Sequence, residues 1–130
     1  MGMKRWVAVV LLIGGCKSAS TDPAENRLSG SYQWIRSSGG IAGRTMTPAS
    51  ENYSVRFTFS GNQVTIFRND SSKATSTVTV RGDEVTYQPA LSVFLFDQGI
   101  DVQTLRVFPG DTIALADPCC DRFEHVFVRR

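Results

Sequence analysis

Tyr53, Val55, Phe57 and Phe59 alternate with Ser54, Arg56, Thr58 and Ser60, Gly61-Asn62 follows, and Val64 and Ile66 resume the same alternation. A strict two-residue period puts one face of a strand in an apolar environment and the other in water. A Gly-Asn pair between two such runs reverses the chain in a tight turn. Residues 52 to 66 therefore read as an antiparallel hairpin with one greasy face, which requires more strands to cover it.

The rest of the chain supplies them. Turn signals recur about every ten residues at Asn69-Asp70, Arg81-Gly82-Asp83, Gln98-Gly99 and Pro109-Gly110-Asp111. Between them lie runs rich in Val, Thr, Ile and Phe, at roughly 30 to 37, 52 to 60, 63 to 69, 73 to 80, 84 to 88, 91 to 96, 101 to 108, 111 to 116 and 122 to 129. No window of about 10 to 12 residues supports an amphipathic helix. Eight or nine short antiparallel strands imply a barrel or a sandwich, and closure removes the exposed edges that would otherwise pair with neighbours. The expected fold class is all-β, a single antiparallel, up-and-down barrel of about eight strands. Residues 90 to 96 stand apart, because Leu91, Val93, Phe94, Leu95 and Phe96 put apolar groups on both faces; an outer cover or a contact surface is expected there.

The chain divides into three parts: 1–15, 16–27 and 28–130. The first holds Lys4-Arg5, the apolar run Trp6 to Ile13, and Gly14-Gly15 before Cys16. Eight apolar residues are too few for the roughly 20 a spanning helix needs. The pattern resembles a bacterial lipoprotein signal. That resemblance implies cleavage before Cys16, a diacylglyceryl group on its thiol and an acyl chain such as palmitate on its new amino terminus. Each buried CH₂ contributes about 0.8 kcal/mol, so several chains on one residue hold a protein on a membrane almost permanently. The implied location is the bacterial cell envelope. Lys17 stands where such signals carry Asp for inner-membrane retention, which points to the outer membrane.

Loss of the signal removes Lys4 and Arg5 from 14 basic residues, leaving 12 against 12 acidic ones. A neutral, mixed surface has no electrostatic footprint for nucleic acid. Lys17 to Arg27 reads KSASTDPAENR, with no apolar side chain larger than Ala. Nothing in it offsets the entropy of ordering, so it reads as a flexible tether reaching about 36 Å at full extension. The remaining 103 residues are one domain.

Leu28 to Trp34 (LSGSYQW), Ser37 to Gly43 (SSGGIAG), Thr47-Pro48, and Asp111 to Asp117 (DTIALAD) with Asp121, His125 and Arg129 resemble a family of small lipocalin-like bacterial lipoproteins of uncharacterised function. Family members usually have Trp in place of Tyr32 and often Gly in place of Arg122. The resemblance implies an eight-stranded lipocalin-like barrel with a structural signature of Gly30, Tyr32, Trp34, Gly39, Gly40, His125 and Arg129. It also implies that Tyr32 packs at the closed end with Arg129 or Arg130 across its ring, an arrangement that contributes about 0.5 to 2 kcal/mol. The loop Ser37 to Ala49 would lie over the other barrel end; it lacks the spacing of a phosphate-binding loop.

Cys119-Cys120 precedes the last strand. Once Cys16 is acylated, two thiols remain in an oxidising compartment. A vicinal disulfide is one reading, strained because adjacent Cα atoms lie about 3.8 Å apart while ordinary bridges prefer about 4.4 to 6.8 Å. A single buried thiol with an incidental neighbour is another. A metal held by Cys119, Cys120, Asp121 and His125 is the third, disfavoured by the absence of a CxxC pair. His125, the only histidine, shares a strand face with Phe123 and Phe127 and reads as a hydrogen-bonded core residue. We find no GxSxG elbow, no HExxH helix and no identifiable Ser, His and Asp arrangement. The chain is not expected to be an enzyme, to hold a metal or to use a cofactor.

Two functions fit. One is a lipid-anchored lipocalin-like protein binding a small apolar ligand, with Tyr53, Val55, Phe57 and Phe59 as walls. The other is an envelope protein-protein interaction or inhibitor module with a side-chain-filled barrel and no ligand. An eight-stranded barrel has room for its own side chains or for one small ligand, and the many Phe favour filling.

Overall fold

The computed structural model describes residues 28–92, 99–118 and 122–130. The expected signal, the tether with Cys16, and the Cys119-Cys120 pair lie outside the described residues. Nine strands form one antiparallel sheet: β1 (Gly30–Gly39), β2 (Arg44–Met46), β3 (Val55–Ser60), β4 (Gln63–Arg68), β5 (Ser71–Arg81), β6 (Glu84–Leu91), β7 (Ile100–Phe108), β8 (Thr112–Ala116) and β9 (Phe123–Arg129). A short helix, α1 (Pro48–Glu51), lies between β2 and β3. The order in the sheet is β2-β1-β3-β4-β5-β6-β7-β8-β9, and β1 also pairs with β9. Eight strands thus close an up-and-down barrel, with β2 added beside the upper half of β1.

Register places the two ends. Gly30 pairs with Phe59 and Tyr32 with Arg129, so the start of β1, the finish of β9 and the β3–β4, β5–β6 and β7–β8 turns share a lower end. Gly39 pairs with Phe123 at the upper end, along with α1, the β4–β5 turn and the β8–β9 connection. The hairpin read from alternation is β3 and β4, with Ser60 opposite Gln63. Val55, Phe57, Phe59, Val64 and Ile66 all face inward and are buried.

Two differences from the sequence reading concern the upper end. Ser37 to Ala49 is not loop throughout. β1 continues to Gly39, the chain turns through Gly40 to Gly43, and β2 returns to pair Met46 with Ser37. Thr47 then caps α1 through a reciprocal pair of bonds with Ser50. The separate strands expected at 84 to 88 and 91 to 96 also differ. Glu84–Leu91 is one strand, with a register irregularity against β7 between Thr86 and Leu91. Residues 93–98, most of the expected two-sided apolar strand, lie outside the described residues.

Candidate functional site

A β-bulge in β1 governs what the upper half of the barrel contains. Tyr32 and Trp34 point inward on the even phase, and strict alternation would send Arg36 in next. The pairing with β9 shifts between Trp34, opposite Phe127, and Arg36, opposite Val126. One extra residue on a strand exchanges its inner and outer faces. Arg36 therefore faces solvent, and Ser37 becomes fully buried on the same side as Trp34.

Ser37 opens onto a chain of polar side chains inside the barrel. The Trp34 indole N–H donates to Ser37 Oγ at 2.8 Å, and Ser37 Oγ lies 2.6 Å from His125 Nδ1. His125 Nε2 lies 3.1 Å from both oxygens of Asp117. Gln103 Nε2 donates to Asp117 Oδ1 at 2.8 Å, and the Tyr87 hydroxyl donates to Gln103 Oε1 at 2.8 Å. One set of directions satisfies every bond: Ser37 donates to Nδ1, the imidazole N–H is on Nε2 and donates to the Asp117 carboxylate, and Gln103 adds a second donor. Tyr87 stands on β6, Gln103 on β7, His125 on β9, Ser37 and Trp34 on β1, and Asp117 directly follows β8. Burial pushes the Tyr87 hydroxyl well above its ordinary value of 10.0, and the Asp117 charge adds to that shift.

This is a Ser, His and Asp arrangement that the spacing 37, 117 and 125 does not announce. Ser37 and His125 come together only through the β1–β9 closure and the bulge. Two hints exist in the chain itself. Gln103 shares the inward phase of β7 with Leu105, and an unbroken alternation in β1 would bury a charged Arg36. As a nucleophile Ser37 is badly placed, since its side chain is wholly enclosed and no substrate carbonyl reaches it in this conformation. What the chain of bonds does is tie neighbouring strands together through groups that must all be satisfied when buried.

At the lower end the Arg129 guanidinium lies 4.8 Å from the Tyr32 ring centroid, and its Nη2 donates to the Tyr32 hydroxyl at 2.6 Å. Nη1 donates to the Ser29 carbonyl. Gly30 has φ +116°, and a Cβ there would sit 2.5 Å from Arg129 Nη1, so glycine is what lets the arginine pass. Of the two arginines weighed for this place, Arg129 occupies it. Burial raises the Tyr32 hydroxyl's pKa, and the Arg129 charge and hydrogen bond pull against that rise. At the upper end Gly39 has φ +144°, and a Cβ there would lie 2.0 Å from the Arg122 carbonyl oxygen. Gly40 beside it rests against the Phe123 ring, 3.1 Å from where a Cβ would stand.

The four residues read as ligand walls stand in a row on one inward face, at β3 and just before it. Val55, Phe57, Phe59 and Tyr53 are 0 to 7% exposed. Phe57 packs on Phe127 with ring centroids 4.7 Å apart and on Phe59 at 6.1 Å, and Phe59 meets Tyr32 edge-on at 5.9 Å. Above them Trp34 stacks on Tyr53 at 5.6 Å and 19°, and the Arg68 guanidinium lies over the same Tyr53 ring at 3.9 Å. Among the described residues no group of three His, Cys, Asp or Glu side chains could hold a metal ion. His125 instead has Ser37 and Asp117 on its two nitrogens.

The class that this geometry defines is a closed, eight-stranded, up-and-down β-barrel, compatible with a lipocalin-like fold. No family model matches the chain, and no curated protein or solved structure matches it either.

Proposed function

We propose that this chain is a lipid-anchored protein of the bacterial envelope, of the lipocalin-like lipoprotein type, whose barrel serves as a protein-protein interaction or inhibitor module. The observation that carries the choice between carrier and module is the ring-to-ring packing among the described inward residues. Phe57, Phe59, Phe127 and Tyr32 meet ring to ring, and Trp34 stacks on Tyr53, where an apolar ligand would lie. A ligand of ordinary size needs a cavity of about 300 Å³ or more, and making one here would separate those rings. Anchoring rests on the Lys4-Arg5 charge, the apolar run and Gly14-Gly15-Cys16, with acylation of Cys16 and outer-membrane placement following from that pattern.

Native mass spectrometry of protein extracted from its own membrane tests this reading. The expected spectrum shows an acylated chain beginning at Cys16 with a stoichiometric protein partner. An acylated chain carrying an apolar small molecule in place of a partner would restore the carrier. A chain retaining residues 1 to 15 would remove the anchor.

A further inference from the structure

We infer that the groove on the upper rim between α1 and the β4–β5 turn binds a small organic carboxylate, with the Arg68 guanidinium as its fork. The groove is open to solvent, has a volume of about 480 Å³ and is lined by Glu51, Asn52, Tyr53, Arg68, Asn69 and Lys73 among others. That volume is within the range of small-molecule sites. It lies outside the packed interior, so it is separate from the ring-filled space that argues against an apolar cargo.

Arg68 is the residue around which the site is built. It occupies the inward phase of β4 after Val64 and Ile66, but at the rim, where the centre of its guanidinium lies 3.9 Å from the Tyr53 ring centroid. Tyr53 is in turn stacked on Trp34, so a cation, a phenol and an indole meet in series at the top of the barrel. The cation–π contact holds the guanidinium against the ring without using its N–H donors. Among the described residues Arg68 makes no hydrogen bond and no ion pair with the protein, in contrast to Arg56, Arg106 and Arg129. A planar, immobilised fork with unused donors is the preorganised half of a bidentate carboxylate contact.

The walls are fixed as well. Ser54 and Asn69 are joined twice: the Ser54 N–H donates to Asn69 Oδ1, and the Asn69 N–H donates to the Ser54 carbonyl, each at 3.0 Å. Because Asn69 Oδ1 is the accepting atom, its side-chain NH₂ keeps both hydrogens for a ligand. Lys73, exposed on β5, supplies a second positive charge. The negative charge of Glu51 is already engaged by the Ser50 hydroxyl at 2.9 Å and by Arg44 at 3.8 Å. Two available cations beside one partly neutralised carboxylate suit a monoanion better than a phosphate dianion.

The test is a titration of the full chain with benzoate and, separately, inorganic phosphate at constant ionic strength, following the Arg68 Nε–Hε and Asn69 side-chain amide signals by NMR. The expected result is saturable benzoate binding seen at both residues, weakened at least tenfold by Arg68→Gln and by a smaller factor by Arg68→Lys. Lys73→Gln, on an exposed strand position, is expected to weaken binding about threefold without disturbing the fold, which keeps the test valid if Arg68→Gln unfolds. Shifts that rise linearly without saturation, or that survive Arg68→Gln and Lys73→Gln unchanged, would overturn the site. Phosphate binding tighter than benzoate would overturn the carboxylate assignment.

Discussion

Arg129 closes the lower end by lying across Tyr32 and bonding Ser29, all within β9 and the start of β1. The upper end is tied through Tyr87, Gln103, Asp117, His125, Ser37 and Trp34, which follow one another around the wall from β6 to β1. The lower lock is one cation on one ring, partly exposed, and its loss leaves little buried polarity behind. The upper chain is a row of buried donors and acceptors in which each member satisfies the next. Cutting such a row leaves uncompensated polar atoms on both sides of the cut, at about 1 to 3 kcal/mol each. The difference teaches that this barrel is most vulnerable where it is most polar.

Removal of His125 is the sharpest way to break the comparison. His125→Ala strands both Ser37 and Asp117 and is expected to lower stability by about 3 kcal/mol, measured as a fall in the urea midpoint at unchanged slope. In the double variant with Ser37→Ala the losses should fall short of additivity by about 0.5 kcal/mol or more, because the two groups share one bond. Full additivity would mean that the chain is not coupled.

Gly30→Ala comes next. Its positive φ and the contact with Arg129 should together cost about 1 to 3 kcal/mol, and adding Arg129→Ala should relieve part of that loss. Tyr32→Phe removes only the hydroxyl bond and keeps the ring under the guanidinium, for an expected loss of about 1 kcal/mol. If Tyr32→Phe costs as much as His125→Ala, the two ends do not differ as described.

The alkaline limb sharpens the same contrast. The folded-state pKa of Tyr87 lies above the ordinary 10.0, so its contribution is fully present below pH 10 and declines as the pH rises beyond that value. Tyr87→Phe should flatten this decline in urea midpoints measured above pH 10, while the wild-type chain loses stability there. The smallest effect belongs to the surface. Arg106→Ala breaks the exposed pair with Glu124 and should change stability by less than about 1 kcal/mol.

How far the sequence could be read follows from where its periodicity is regular. β3 and β4 alternate without interruption, and their pairing, inward face and Gly61-Asn62 turn are all legible from residue type. Gly30, Tyr32 and Arg129 were suggested by resemblance, and the +116° φ of Gly30 supplies the physical reason for that glycine. The upper chain leaves only two hints in the sequence, the inward phase of Gln103 and the Arg36 that unbroken alternation would bury. Asp117 and His125 are near each other in sequence, but Ser37 joins them only because a bulge reverses the phase of β1, and a bulge has no residue signature of its own. The β1–β2 hairpin was also hidden, because Gly39 to Gly43 reads as loop when the partner strand is only three residues long.

The central claim is that the interior is full. The direct test is fluorescence titration of the purified domain with 1-aminoanthracene, an uncharged apolar probe that has no carboxylate to offer the rim groove. The account predicts no saturable enhancement at any probe concentration below its solubility limit. Saturable one-to-one binding, abolished by Phe57→Trp, would place an open cavity where the rings of Phe57 and Phe127 are described as touching and would contradict it.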